Sequence, residues 1–233
     1  DPAYTRTPLA TDLVGLYGVG GVSYGAHESQ SRLWENQVGR SREFWANHFG
    51  EAKQAFPDQL ADVTEDEFFR AINRSMPSFI RVEADELTYD FHIMLRTDIE
   101  RKLIEGSLEV EDLPEAWNAT VKEYLGIDVP DDAHGVLQDV HWSHGQVGFC
   151  NYTIGNVMAA QLFETARAEN PGIQKGLDKA DYAPLRNWLT DKVCRHGRRY
   201  SRDELLVMAT GRALDPEPYI RYLTGKYTEV YGL

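Results

Sequence analysis

The sequence predicts a mainly α-helical protein. Three observations carry that expectation: apolar residues recur at helical spacing over most of the chain, two capping-box patterns open helical stretches, and only one short segment has the composition of a strand. From Glu28 to Phe49, the residues Trp34, Val38, Trp45 and Phe49 fall on one face of a long helix. Thr64-Glu-Asp-Glu67 is a capping box opening a short helix with Phe68, Phe69 and Ile72 inward. Ser78-Phe-Ile-Arg-Val82, apolar and β-branched just after Pro77, is the strand candidate. A second long helix is expected from about Ala84 to Glu105, stopped by Gly106, and another from Leu113 to Leu125, closed by Gly126. Residues 128–148 are irregular and rich in Asp, His and Gly. Helices then follow at about Tyr152–Ala168, Pro184–His196, Ser201–Thr210 and Pro218–Val230. Ser201-Arg-Asp-Glu204 is the second capping box, and Pro184 suits a first helical turn.

Composition narrows the function classes. With 233 residues, 42% of them hydrophobic and 26% charged, the chain fits one large domain or two small ones. No internal repeat or linker stands out. The balance of 24 basic against 37 acidic residues, a net charge of −13, repels phosphate backbones and argues against nucleic-acid binding. No stretch approaches the roughly 18 apolar residues of a membrane helix. The opening DPAYTRTPLA has neither a basic flank nor an apolar signal core, so the chain reads as soluble and its start as a cut. Cys150 and Cys194 lie far apart without a CxxC partner, which fits free thiols in a reducing, cytoplasmic compartment. The glycine-rich run Gly15–Gly25 lacks the third glycine of a dinucleotide loop and the Lys-Ser/Thr of a P-loop. It reads instead as a strand or loop that lets backbone approach something closely.

Three segments carry polar residues that a plain helical protein does not need. In His27-Glu28-Ser-Gln-Ser-Arg32, Glu28 is either first-turn dipole chemistry or a metal-binding carboxylate on a rigid helix. In Ile80-Arg-Val-Glu-Ala-Asp85, Arg81 is either an ordinary ion-pair partner or a guanidinium fork for a carboxylate. His92, inside an apolar helix, reads as a satisfied core histidine. In Gly135-Val-Leu-Gln-Asp-Val-His141-Trp-Ser-His144, His141 suits a hydrogen-bond donor to a substrate better than a metal ligand, and Tyr152 adds a phenol nearby in sequence.

Read together, HESQSR at 27–32, IRVEAD at 80–85 and GVLQDVHW at 135–142 resemble the signatures of the carboxypeptidase Taq family of zinc metallocarboxypeptidases. So do the surrounding phrases RLWENQVGRS, ADELTYDFHIMLR and NYTIGN. The likeness runs over nearly the whole chain. It implies a mainly helical metallopeptidase fold with a small β-sheet near the active cleft, and residues 1–233 as the C-terminal portion of one catalytic domain. It also implies removal of single residues from peptide C-termini with broad specificity. By the same resemblance Glu28 matches a zinc ligand (cobalt being the alternative metal), Arg81 the reader of the terminal carboxylate, and His141 and Tyr152 catalytic groups of the cleft. Asp85, Gln138 and Asp139 match residues that orient them, and the family suggests a homodimer. The sequence departs from the pattern in having no HExxH, the source of two zinc-binding histidines and the general base, and in Cys150-Asn151 ahead of the tyrosine. The chain alone is therefore expected to be inactive. A noncatalytic helical interaction or dimerisation protein of the same fold is the alternative reading.

Overall fold

The computed structural model describes residues 22–139 and 148–233. The chain divides into two compact units, residues 1–72 with 154–233 and residues 73–153. The second boundary falls inside a helix, which is why no linker composition marks it.

In the first unit, α1 (Tyr24–Arg32) is capped by Ser23, whose side chain accepts from the Ala26 amide at 3.1 Å. It runs into a π-helical segment, Leu33–Val38, which ends where the Gly39 amide bonds back to the Trp34 carbonyl at 2.8 Å. A new helix, α2 (Arg42–Ala55), starts after Ser41, which is extended and accepts from the Phe44 amide at 3.1 Å. The single helix expected over Glu28–Phe49 is thus two helices with a π segment between them. The physical reason is Ser41, whose hydroxyl offers the backbone a cap at that point.

The capping box at Thr64 opens α3 (Glu65–Ile72) as expected, with Glu67 Oε2 accepting from the Thr64 amide at 2.9 Å. The C-terminal helices of this unit are the later part of α6 (Cys150–Glu169), α7 (Gly172–Leu177), α8 (Ala183–Lys192), α9 (Arg202–Thr210) and α10 (Glu217–Tyr231). The short α7 carries no sequence signal and was not expected. Leu33 and Val38 of the π segment bury against Met158 and Leu162 of α6, Leu185 and Leu189 of α8, and Leu205 and Leu206 of α9.

The second unit is organised by α4 (Glu86–Ile104) and α5 (Leu113–Leu125). Leu95 and Ile99 of α4 pack on Trp117, Val121 and Leu125 of α5, with Val136 closing the cluster. Gly126 ends α5 at φ +73°, a left-handed position open to glycine at little cost. A smaller cluster of Tyr89, Ile93 and Phe149 lies beside it.

The expected small β-sheet is not supported: among the described residues there is no strand. Ile80 is extended, but the chain at once turns into a 3₁₀ segment, Arg81–Glu83, with the Glu83 amide bonded to Ile80 and the Ala84 amide to Arg81. A β-branched run has strand geometry only where a neighbouring strand completes its ladder. Here the backbone bonds locally instead.

The second capping box tests how far local chemistry fixes these helices. Ser201 and Glu204 bond reciprocally, at 2.8 Å from the Ser201 amide and 3.3 Å from the Glu204 amide. Ser201→Ala should lower stability by about 1 kcal/mol, read from the denaturant midpoint. An unchanged midpoint would mean that packing of Leu205 and Leu206 alone sets the helix start.

Candidate carboxylate-binding site

The polar groups of the second unit converge on Asp139. The Arg81 Nε donates to Asp139 Oδ2 at 2.9 Å, and the Arg96 Nε donates to the same oxygen at 2.8 Å. One carboxylate therefore serves two guanidinium ions, leaving an excess positive charge. The environments differ: the Arg96 side chain is fully buried, Asp139 is 2% exposed, and Arg81 keeps 11% of its surface.

Each cation is further held. Arg81 Nη1 donates to the Tyr89 hydroxyl at 3.0 Å, and its guanidinium lies 5.1 Å from the Tyr152 ring centroid. Tyr152 meets Tyr89 edge-on, with ring centroids 6.3 Å apart. Among the described residues no acceptor meets Arg81 Nη2. Arg96 Nη1 donates to the His92 carbonyl at 2.9 Å, and its guanidinium faces Trp117 at 4.6 Å and Phe149 at 5.9 Å.

The electrostatics follow from burial. Burial pushes Arg96 down to about 10, against the pull of Asp139, so it stays protonated at neutral pH. Burial also works against the charge of Arg81, but Tyr89 and Asp139 outweigh it and hold its pKa above the ordinary value. His92 is pushed down to about 3, first by burial and then by the charge of Arg96, so it is neutral at physiological pH. It is a core histidine as expected, 1% exposed, but not a satisfied one: its Nε2 has no hydrogen-bond partner among the described residues.

Arg81, Asp139 and Tyr152 thus come together, while the remaining expected site residues are placed as follows. Asp85 caps α4, accepting from the Leu87 and Thr88 amides at 3.0 Å, and its other oxygen accepts from the Met76 amide at 2.9 Å. It orders the segment that carries Arg81 rather than touching Arg81 in any described bond. Gln138 is exposed, and its amide nitrogen donates to the Ala133 carbonyl. His141 lies outside the described residues. Glu28 belongs to the first unit, on α1, where Ser31 Oγ donates to its Oε2 at 3.2 Å.

Glu28 is fixed from behind by Gly155 of α6. A Cβ on Gly155 would stand 2.6 Å from Glu28 Cβ and 3.1 Å from the Glu28 carbonyl carbon. Only glycine permits this approach of two helices. Among the described residues no group of three His, Cys, Asp or Glu side chains is placed to hold a metal ion, so Glu28 supplies one ligand at most.

The sequence did not single out Arg96, Tyr89, Trp117 or Phe149. The available signal was a cation at Arg96 on the stripe that Tyr89, His92 and Ile99 mark as inward-facing, one turn after His92.

The arrangement is one buried carboxylate between two guanidinium ions, with aromatic walls. Comparisons with known proteins agree with the signatures that introduced it. The family model described as Carboxypeptidase Taq (M32) metallopeptidase matches residues 4–227, and the chain belongs to that family. It is 44% identical over 214 residues to Carboxypeptidase 1 of Bacillus subtilis, covering 91% of this chain and 43% of that protein. With Thermostable carboxypeptidase 1 of Thermus thermophilus it shares 43% identity, over 91% of this chain and 41% of the relative. The crystal structure of an M32 carboxypeptidase from Deinococcus radiodurans R1 superimposes with a TM-score of 0.95 at 49% identity, covering 99% of this chain and 47% of that one. The chain spans less than half the length of the curated relatives it matches.

Two outcomes follow for this geometry. Gly155→Ala should cost about 1–3 kcal/mol by overpacking against Glu28, measured by denaturant unfolding, and an unperturbed midpoint would mean that the helices do not meet there. His92 titrates near 6.5 in an unfolded chain and near 3 in the fold. Its neutral burial therefore adds nothing against stability above pH 6.5, and stability is lost as pH falls from there toward 3, because the unfolded chain binds a proton that the fold excludes. His92→Gln should flatten the stability profile in that window by up to about 1.4 kcal/mol per pH unit. Equal slopes for the two proteins would show that His92 is not buried neutral.

Proposed function

We propose that this chain carries the substrate-carboxylate reader and part of the catalytic cleft of a metallocarboxypeptidase that removes single residues from the free C-termini of peptides. The observation that supports this best is Arg81, a guanidinium held at Nε by Asp139 and at Nη1 by Tyr89, lying 5.1 Å from the Tyr152 ring centroid, and keeping part of its surface exposed. A C-terminal carboxylate is a planar anion, and a guanidinium edge with a fixed orientation meets it with charge-assisted hydrogen bonds. Membership of a metallopeptidase family supports hydrolysis as the chemistry.

In this reading Arg81 holds the terminal carboxylate, and His141 and Tyr152 stabilise the developing oxyanion or share in holding that carboxylate. Asp139 and Asp85 set the direction of Arg81, with Gln138 ordering the loop that bears Asp139. Glu28 contributes one ligand to a zinc or cobalt ion. The described residues do not by themselves complete a metal site. The sequence contains no HExxH, so the chain by itself should not release C-terminal residues: absence of the general base alone costs on the order of 10²–10⁴ in rate. A cytoplasmic homodimer with broad specificity completes the proposal. No helix among the described residues is long and apolar enough to cross a membrane.

The test uses a protein that also carries the HExxH segment. Arg81→Lys should lower kcat/KM for peptides with a free C-terminus by one to two decades, the equivalent of roughly 1.5–3 kcal/mol for a charge-assisted bond. The matching C-terminal amides should lose much less, and metal content should stay near that of the unsubstituted protein. Equal losses on acids and amides would show that Arg81 serves the fold and does not read the carboxylate.

A further inference from the structure

We propose that a cavity of about 810 Å³ in the first unit binds a small zwitterion of the amino-acid type, with Arg167 receiving its carboxylate and Glu43, Asp178 and Gln174 its ammonium. Residues of α2, α3, α6, α7 and α10 line it, all within that unit, and it shares none with the cluster around Asp139. The inference therefore stands apart from the reading of Arg81.

The anionic side is held together by one neutral amide. Gln174 Nε2 donates to Glu43 Oε1 at 2.9 Å and to Asp178 Oδ1 at 2.8 Å. Among the described residues neither carboxylate has an ion-pair partner. Two carboxylates this close repel each other, and a cation beside them relieves the repulsion. A metal ion is a poor match: the Gln174 N–H groups already stand between the two acids, and no third His, Cys, Asp or Glu completes a ligand set among the described residues. Gln174 Oε1 is buried without a hydrogen-bond partner. An ammonium group brings three N–H donors and no acceptor, which is what two carboxylates and an amide oxygen lack.

The cationic side is Arg167 on α6. Its guanidinium lies 5.5 Å from the Phe163 ring centroid and, among the described residues, makes no hydrogen bond or ion pair. Other cations of the wall are committed, Arg42 to Asp66 and Glu229, and Arg221 to Glu164. The fork of Arg167 is left for a carboxylate. Phe163, Leu177 and Ala160 of the wall suit the apolar body of such a ligand.

Asn36 supplies an independent sign of a ligand. It lines the same cavity, is 5% exposed, and its side-chain oxygen has no hydrogen-bond partner. It sits in the π segment, where its carbonyl accepts from the Tyr222 hydroxyl at 3.1 Å and from Lys226 Nζ at 3.4 Å. The backbone is pinned while the amide stays unpaired. A buried polar group without a partner is destabilising, and a donor in the cavity removes that cost once the amide turns about its soft terminal torsion. Under the proposed function, both the peptide consumed and the residue released carry this zwitterionic chemistry.

The experiment follows the backbone amide signals of Ala160, Phe163 and Leu177 in the ¹⁵N-labelled chain during titration with leucine, leucyl-leucine, leucinamide and N-acetyl-leucine. Leucine or leucyl-leucine should bind saturably, and the tighter of the two tells whether the zwitterion is a free amino acid or a peptide. Arg167→Gln should weaken that ligand roughly tenfold and leave leucinamide, which has no carboxylate, unchanged. Glu43→Gln should weaken leucinamide and leave N-acetyl-leucine, which has no ammonium, unchanged. Arg81→Lys should alter none of these. No saturable shift with leucine or leucyl-leucine would overturn the site, as would equal losses of leucine and leucinamide in Arg167→Gln. Shifts abolished by Arg81→Lys and kept in Arg167→Gln would overturn it too, and would leave Arg81 as the reader of the carboxylate.

Discussion

A single carboxylate set between two guanidinium ions imposes most of the order seen in the second unit. Asp139 is 2% exposed and cannot be left charged there without partners, nor can the fully buried Arg96. Each needs the other, and the requirement propagates. Arg96 must come from a helix deep enough to bury it, so α4 carries it among Tyr89, Ile93 and Ile99. Trp117 of α5 must present a ring face at 4.6 Å, and the chain after Val136 must return to bring Asp139 within reach. Arg81 completes the set from a short 3₁₀ turn whose position is held by Asp85 at the head of α4. Packing against Leu95 and Ile99 supplies the cohesion, and the ion pairs select one arrangement among those that apolar burial would allow.

The same constraint leaves the two arginines in different environments. The side chains share an acceptor and nearly the same bond length, yet one is fully buried and the other keeps 11% of its surface. Buried charge is costly in proportion to its isolation, so Asp139 placed between the two cations offsets the cost for both. Tyr89 and Tyr152 limit the solvent that reaches Arg81 without competing for all of its donors. In the first unit the corresponding restraint is steric: Gly155 lets α6 approach the backbone of Glu28, which fixes that carboxylate on α1 by contact rather than by charge.

How much of this was legible in the sequence depends on whether the cause was local. Leu113–Leu125 was readable to the residue because Pro114 and Gly126 mark its ends chemically, and the box at Ser201 was readable for the same reason. The break between α1 and α2 had a local signal too, Ser41 with Glu43 in the first turn, but it was masked by an apolar spacing that continued across it. Ser78–Val82 misled because strand formation is a property of two segments, and the composition of one says nothing about a missing neighbour. Of the site, Arg81, Asp139 and Tyr152 were reached through their motifs, and the geometry joins them. Arg96 was not, since an arginine on a helix looks like a surface residue until the far side of the helix is known to be covered by Trp117 and Phe149.

The central claim, that Asp139 holds both guanidinium groups at once, is open to direct observation in solution through the arginine side-chain Nε–Hε signals of a ¹⁵N-labelled chain. Two such protons hydrogen-bonded to one buried carboxylate should exchange slowly with water and remain visible near pH 8, and both should lose protection together in Asp139→Asn. A spectrum with only the Arg96 proton protected, and Arg81 exchanging like an exposed arginine, would contradict the shared carboxylate and with it the arrangement of the site.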